Sequence, residues 1–262
     1  PTTSQDLLTD RQVRIEGLQT IGVHFDSCTF AGDLSKNPDE RGIGIELVGS
    51  HNGSLLTPLA QNSNFTNLNY GVKAGVLSGS GGGNDVLNST FTETQRGVYA
   101  TTGHGMKIAG NTFNLPEADI DNVYACMLAG QTNFEISENT VNSLPSPPSG
   151  TAKSYGVIIE NSNQSGGLIF DNAIGDGNFL DVGIQSQGDN QNLTIRCNNI
   201  QYMGQQPHGL TVYDFQRTIN GTTITYPAQL RDQGHSNCLG NNPNEPNPDK
   251  AAAGNEWLNL CM

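Results

Sequence analysis

No run of about 18 consecutive apolar residues, the length a membrane-spanning helix requires, occurs anywhere in this sequence. The first ten positions, Pro1 to Asp10, are polar and lack the apolar core of a signal peptide. Charge is sparse as well, at 14% of residues where an average domain has about 25%. Cations are the scarcer kind: Lys and Arg number 12 against 25 Asp and Glu, a formal net charge of −13. Neutralising a phosphate backbone takes clustered Lys and Arg, so the dispersed cations argue against a nucleic-acid partner. The same balance disfavours long polyanionic glycans. A Gly79 to Gly83 run is followed by neither a helix pattern nor a Lys, which excludes a phosphate-binding loop.

What is present is a repeat. From Leu193 to Ile200 the chain reads Leu-Thr-Ile-Arg-Cys-Asn-Asn-Ile. Apolar residues alternate at Leu193 and Ile195, Asn198 interrupts them and Ile200 resumes, the pattern of strand, sharp turn, strand. Six more copies align on the last apolar position, giving the column Phe30, Phe65, Phe91, Phe113, Val141, Ile174 and Ile200. Five residues earlier stand Phe25, Ala60, Val86, Ile108, Ile136, Ile169 and Ile195. Two residues earlier the column is small and polar: Cys28, Ser63, Ser89, Asn111, Asn139, Asn172 and Asn198. A second anchor, a glycine opening a short apolar alternation, falls at Gly42, Gly71, Gly97, Gly156, Gly183 and Gly209, with Asn122 in the remaining copy. A period of 25 to 34 residues between these anchors marks a stacked repeat.

Strands this short cannot close a sheet within one copy. They must pair with the equivalent strand of the next copy, in register and parallel, so that like positions stack into columns. A stacked Asn column is favourable because each side-chain amide can serve its neighbour and the turn backbone together. The pattern of Gly with an apolar pair, a turn, then Leu-x-Ile-x-x-Asn-x-Ile resembles the coil of right-handed parallel β-helices of the pectin-lyase-like class. The Leu-x-x-Leu-x-Leu frame of leucine-rich repeats is missing. The expected fold is therefore all-β: a right-handed parallel β-helix solenoid of about seven coils over residues 13–215, after an N-terminal segment 1–12. Residues 216–262 are expected to form a C-terminal hairpin, signalled by Asn220-Gly221 between two alternating runs, and an irregular capping tail. With no polar cap ahead of Val13, the chain reads as part of a longer or processed protein.

In the enzymes of that class the substrate groove lies over the strand after the repeat glycine. Alternation there places Ile43, Val72, Val98, Val123, Val157, Ile184 and Leu210 inward. The outward stripe is then Gly44/Glu46, Lys73/Gly75, Tyr99/Thr101, Tyr124/Cys126, Ile158/Glu160, Gln185/Gln187 and Thr211/Tyr213. Glycoside hydrolysis needs two carboxyl groups within about 10 Å of each other, and the only acids on the stripe, Glu46 and Glu160, are four coils apart. A lyase would draw on Lys73, Arg96, Tyr99, Asp121 and Tyr124, which supply a cation for a uronate and a group to take its proton; as ordinary surface chemistry, Arg96 would instead pair with Asp121. Tyr99, Tyr124, Gln185, Gln187 and Tyr213 suit sugar stacking and hydrogen bonding. His104-Gly105 lacks the paired Asp motifs of polygalacturonases and reads as a turn. Asp171, Asp176, Asn178 and Asp181 form an oxygen-rich loop that could hold calcium, though Asp-Gly-Asn is also ordinary turn chemistry. No other cofactor is expected.

Five cysteines cannot all pair. Cys28 and Cys197 read as small residues of the stacked turn. Cys238 and Cys261 bracket the tail, where a bridge would contribute about 3 kcal/mol and fit an oxidising compartment. The Asn-rich coils and the Asn-Glu-Trp-Leu-Asn-Leu-Cys ending resemble large secreted β-helix surface proteins of Bacteroidota-type bacteria. The sequence thus points to a non-catalytic extracellular or cell-surface module, structural, adhesive or glycan-binding, with a uronate-specific polysaccharide lyase as the alternative.

Overall fold

The computed structural model describes residues 11–16, 23–48, 58–75, 84–116, 120, 122–142, 153–162, 166–175, 180–202, 208–219, 222–226, 229–230 and 256–259. Three parallel sheets wrap one core, and successive coils contribute one strand to each. Face 1 holds eight strands: Arg11–Glu16, Ile43–Val48, Tyr70–Ala74, Arg96–His104, Val123–Thr132, Ser154–Glu160, Val182–Gln187 and His208–Tyr213. Face 2 holds seven shorter ones, from Phe25–Asp26 to Thr194–Arg196, and face 3 eight, from Thr29–Ala31 to Asn199–Tyr202 and then Glu256–Asn259. This is the parallel β-helix the repeat predicts. Among the described residues the one helical element is the single turn Pro38–Glu40, and no helix is long and apolar enough to cross a membrane.

The core columns follow the predicted alignment. Phe30, Phe65, Phe91, Phe113, Val141, Ile174 and Ile200 pair in direct register along face 3. The four rings stack at centroid distances of 4.8, 4.6 and 4.6 Å, which is the spacing of the strands that carry them. Phe65, Phe91, Phe113, Ile169 and Ile195 are each at most 1% exposed, and full burial of such a side chain contributes about 1.5–3 kcal/mol. The glycine column exists to make room for this stack. A Cβ on Gly71 would meet the Phe91 ring at 2.5 Å, and one on Gly97 would meet Phe113 at 2.6 Å. In the fifth coil the equivalent residue is Ala125, whose carbonyl lies over Gly97; the next member of the aromatic column is there the smaller Val141.

Between faces 2 and 3 the chain turns in two residues. The first is left-handed in every coil: Ser27, Asn62, Asn88, Gly110, Glu138, Asp171 and Cys197, with φ between 47° and 67°. The second is the small polar residue, and these form a continuous ladder. Cys28 and Ser63 donate their backbone N–H to the hydroxyls of Ser63 and Ser89, and Ser89 donates to Asn111 Oδ1. Asn111, Asn139 and Asn172 then donate in turn to the Oδ1 of Asn139, Asn172 and Asn198 at 3.0–3.1 Å. Each Asn amide also donates to a carbonyl of the preceding coil, as Asn139 does to Ile108. A second, shorter ladder joins Gln131, Ser162 and Asn190 where face 1 turns toward face 2.

Beyond face 1, Phe215–Ile219 and Thr222–Tyr226 form the expected antiparallel hairpin, Ile219 opposite Thr222. The tail departs from the expected irregularity. Gln229–Leu230 pairs with Asp189–Asn190, and Glu256–Asn259 adds a parallel strand to face 3 with Trp257 in register with Ile200. A final strand edge left open would expose unpaired backbone groups, and the returning tail covers it. Cys28 and Cys126 are free thiols and Cys197 is disulfide-bonded, so Cys197 is not the simple turn residue expected. Cys238 and Cys261, between which a bridge is expected, lie outside the described residues.

A candidate ligand-binding face

Face 1 is where long strands, unequal loops and outward polar side chains coincide. Its register corrects the expected stripe in two coils. Ile45 and Cys126, not Ile43 and Val123, continue the inward column through Val72, Val98, Val157, Ile184 and Leu210. The true anchors are therefore Gly44 and Ala125 in place of Gly42 and Asn122. The alanine, tolerated opposite Val141, hid the fifth one. Cys126 consequently points inward, 1% exposed, and burial pushes its thiol up.

Two outward rows result. One runs Arg14, Glu46, Lys73, Tyr99, Met127, Ile158, Gln185, Thr211. The other, the row of residues just before the glycine position, runs Arg11, Ile43, Tyr70, Arg96, Tyr124, Tyr155. Tyr70 and Tyr155 were missed by the sequence reading, although their place directly before Gly71 and Gly156 repeats that of Arg96 before Gly97.

The first four strands gather charge around one carboxylate. Glu46, with a side chain 7% exposed, takes Arg11 Nε at 2.9 Å, Lys73 Nζ at 3.6 Å and Arg14 Nε at 3.7 Å. Arg14 also pairs with Glu16. Arg96 donates to Asn69 Oδ1 and lies 3.5 Å from Asp39. Its guanidinium sits 4.9 Å from the centre of the Tyr70 ring, and Lys73 Nζ sits 5.2 Å from that centre. Tyr99 leans on Tyr70 at 5.9 Å, tilted 58°. Burial, then the neighbouring Tyr70 and Glu160, hold the Tyr99 phenol above its usual range.

The remaining expected residues behave differently. Tyr124 is 3% exposed, and burial drives its phenol far upward, so it offers neither a stacking surface nor a base. Gln185 is 6% and Thr211 7% exposed; Gln187 is partly exposed and Tyr213 is open at 47%. The five expected binding residues thus do not form one continuous platform. Lys73, Arg96, Tyr99 and Tyr124 do come from neighbouring strands, while Asp121 lies outside the described residues. Glu160 is on the sixth strand of the face and Glu46 on the second, about 19 Å apart at the strand spacing.

Metal donors are dispersed. Asp181 accepts from the Ser154 backbone N–H and hydroxyl, Asp171 is exposed on the opposite turn, and Asp176 and Asn178 lie outside the described residues. His24 is bonded to the Pro58 carbonyl; His104, expected in a turn, instead ends the strand Arg96–His104 in register with Thr132, and is bonded to Thr132 and Asn133. Among the described residues no group of three or more His, Cys, Asp or Glu side chains could hold an ion.

A protein-family model described as "Periplasmic copper-binding protein (NosD)" matches residues 10–227. No curated protein and no solved structure matches the chain, and nothing in these comparisons bears on the likeness to Bacteroidota-type surface proteins.

Proposed function

The chain belongs to the NosD family, and we propose that it is a non-catalytic β-helix module of the cell envelope or extracellular space whose face 1, with its outward tyrosines and polar side chains, binds glycan. The family's description places its members in the periplasm, which supports an envelope location. The observation that carries the non-catalytic reading is the state of the face 1 acids. Glu46 is buried under three cations and lies four strands from Glu160, so these two carboxyls do not flank a scissile bond.

Copper, named in the family's description, does not fit the donor set of the described residues. Copper favours thiolate, thioether and imidazole ligands converging on one point. Among the described residues, the free thiol of Cys126 is sealed in the core with its thiolate disfavoured, Cys197 is oxidised, His24 and His104 are hydrogen-bonded on separate coils, and no group of three or more His, Cys, Asp or Glu side chains converges.

The lyase reading is favoured only by Lys73, Arg96 and Tyr99 standing on neighbouring strands, and it loses Tyr124 to burial. The test is a panel of pectate, alginate and neutral glycans, with and without calcium. Binding is read by calorimetry, unsaturated uronate products by ultraviolet absorbance and new reducing ends by colour. The module reading expects binding without turnover. Turnover abolished by Lys73→Gln or Arg96→Gln replaces the module with a lyase.

A further inference from the structure

We infer that the N-terminal half of face 1 recognises a sugar chain bearing carboxylates, a refinement that rests on the glycan-binding reading above. The net charge of −13 speaks against such a partner for the chain as a whole, but charge is distributed unevenly. Four of the 12 Lys and Arg residues, Arg11, Arg14, Lys73 and Arg96, stand on the first four strands of one face.

One carboxylate cannot neutralise three cations. Glu46 is buried and fixed, and it holds Arg11, Arg14 and Lys73 in place while leaving them an excess of positive charge. Among the described residues the other acids paired with these cations are Glu16 against Arg14 and Asp39 against Arg96, with side chains 57% and 65% exposed. Exposed pairs of this kind contribute little and exchange readily, so an incoming carboxylate can take their place. A guanidinium offers five N–H donors in a fork matched to a carboxylate, more than one carboxylate can occupy.

The heads of Arg11, Arg14 and Lys73 converge on Glu46, and the four cations are carried by strands across the N-terminal half of the face. Arg11 and Arg14 lie on the first strand, Lys73 on the third and Arg96 on the fourth, a span of about 14 Å along the stack. Lys73 and Arg96 both lie over the Tyr70 ring. Tyr99, in register with Lys73 and partly exposed, presents a ring on which the apolar side of a sugar can rest. A uronate chain laid across the strands meets a cation at one sugar and an aromatic surface at the next.

The full chain is titrated with an oligogalacturonate, with the same oligomer after reduction of its carboxyls to alcohols, and with a polyglutamate peptide, each at low and at physiological salt. The uronate oligomer is expected to bind, to weaken as salt rises, and to lose at least tenfold affinity on carboxyl reduction. Lys73→Gln and Arg96→Gln are each expected to weaken it about tenfold. Arg14→Gln, at a more exposed site, is expected to weaken it without disturbing the fold, and Tyr213→Ala at the far end to leave it unchanged; circular dichroism checks each variant. Equal binding of the carboxyl-reduced oligomer overturns this inference and leaves the glycan-binding module standing. Equal binding of polyglutamate through the same residues overturns it in favour of an acidic peptide. Binding of no glycan at all removes both readings.

Discussion

Replacing Asn139 tests whether the ladder, and not only the apolar columns, holds the coils in register. Its side chain is 2% exposed and makes four hydrogen bonds. Oδ1 accepts from the Asn111 backbone N–H and the Asn111 amide, each at 3.0 Å. Nδ2 donates to the Ile108 carbonyl and to Asn172 Oδ1, each at 2.9 Å. In Asn139→Ala all four disappear. The Asn111 amide keeps the Val86 carbonyl, and Asn172 Oδ1 keeps the Asn139 N–H. The Asn111 N–H and the Ile108 carbonyl lose these bonds at a buried turn.

An intramolecular hydrogen bond contributes about 1 kcal/mol net, and stranding a buried donor or acceptor costs about 1–3 kcal/mol. Two stranded groups and two merely weakened ones add to a loss of about 3–5 kcal/mol. Asn139→Ser should recover part of it, because Ser63 and Ser89 show that a hydroxyl at this position can accept the N–H of the preceding rung. Denaturant unfolding followed by circular dichroism measures the order Asn, Ser, Ala. Hydrogen exchange at Asn111 and Thr112 shows whether the damage is local, as expected in a repeat whose coils contact only their neighbours. A loss below about 1 kcal/mol for Ala, or Ser no better than Ala, refutes the ladder's energetic role.

Glu138 is exposed and left-handed at φ 56°, where Gly110 stands in the preceding coil, so Glu138→Gly should raise stability by about 1 kcal/mol in the same unfolding assay. Alkylation of the native protein with iodoacetamide, read by mass spectrometry, should label the partly exposed Cys28 and spare the buried Cys126; Cys197 should label only after reduction. Burial raises the Asp85 carboxyl above its ordinary 3.8, against the Lys107 backbone N–H and ammonium that pull it down. In the pH window between its unfolded and folded values the native state holds the extra proton, so stability falls as pH rises through that window. Asp85→Asn, which keeps an acceptor for the Lys107 N–H, should therefore gain on the parent at pH 7 and lose the advantage well below pH 3.8; thermal melts at both values measure it, and an Asn variant weaker at pH 7 refutes the assignment.

The fold was legible because stacking imposes the same constraint in every coil. The residue opposite Phe91 must suit Phe65 and Phe113 at one strand spacing, and the rung at Asn139 must serve Asn111 and Asn172, so each column repeats in the sequence. The face 1 site is bound by a different rule. Arg11 reaches Glu46 across 35 positions and Arg96 reaches Asp39 across 57, and no periodic selection acts on a charge pair made once. Its residues can be placed only through register, which a shift of two or three positions alters. Anchoring on Gly42 and Asn122 gave spacings from 25 to 34; anchoring on Gly44 and Ala125 gives 27, 26, 28, 31, 27 and 26. The tighter spread was available from sequence alone, and it would have turned Cys126 inward and set Glu46 beside Lys73. The strand at Glu256–Asn259 was hidden for a further reason: it continues face 3 after a connection of no repeated length, so Trp257 could be matched to Ile200 only through the backbone pairing itself.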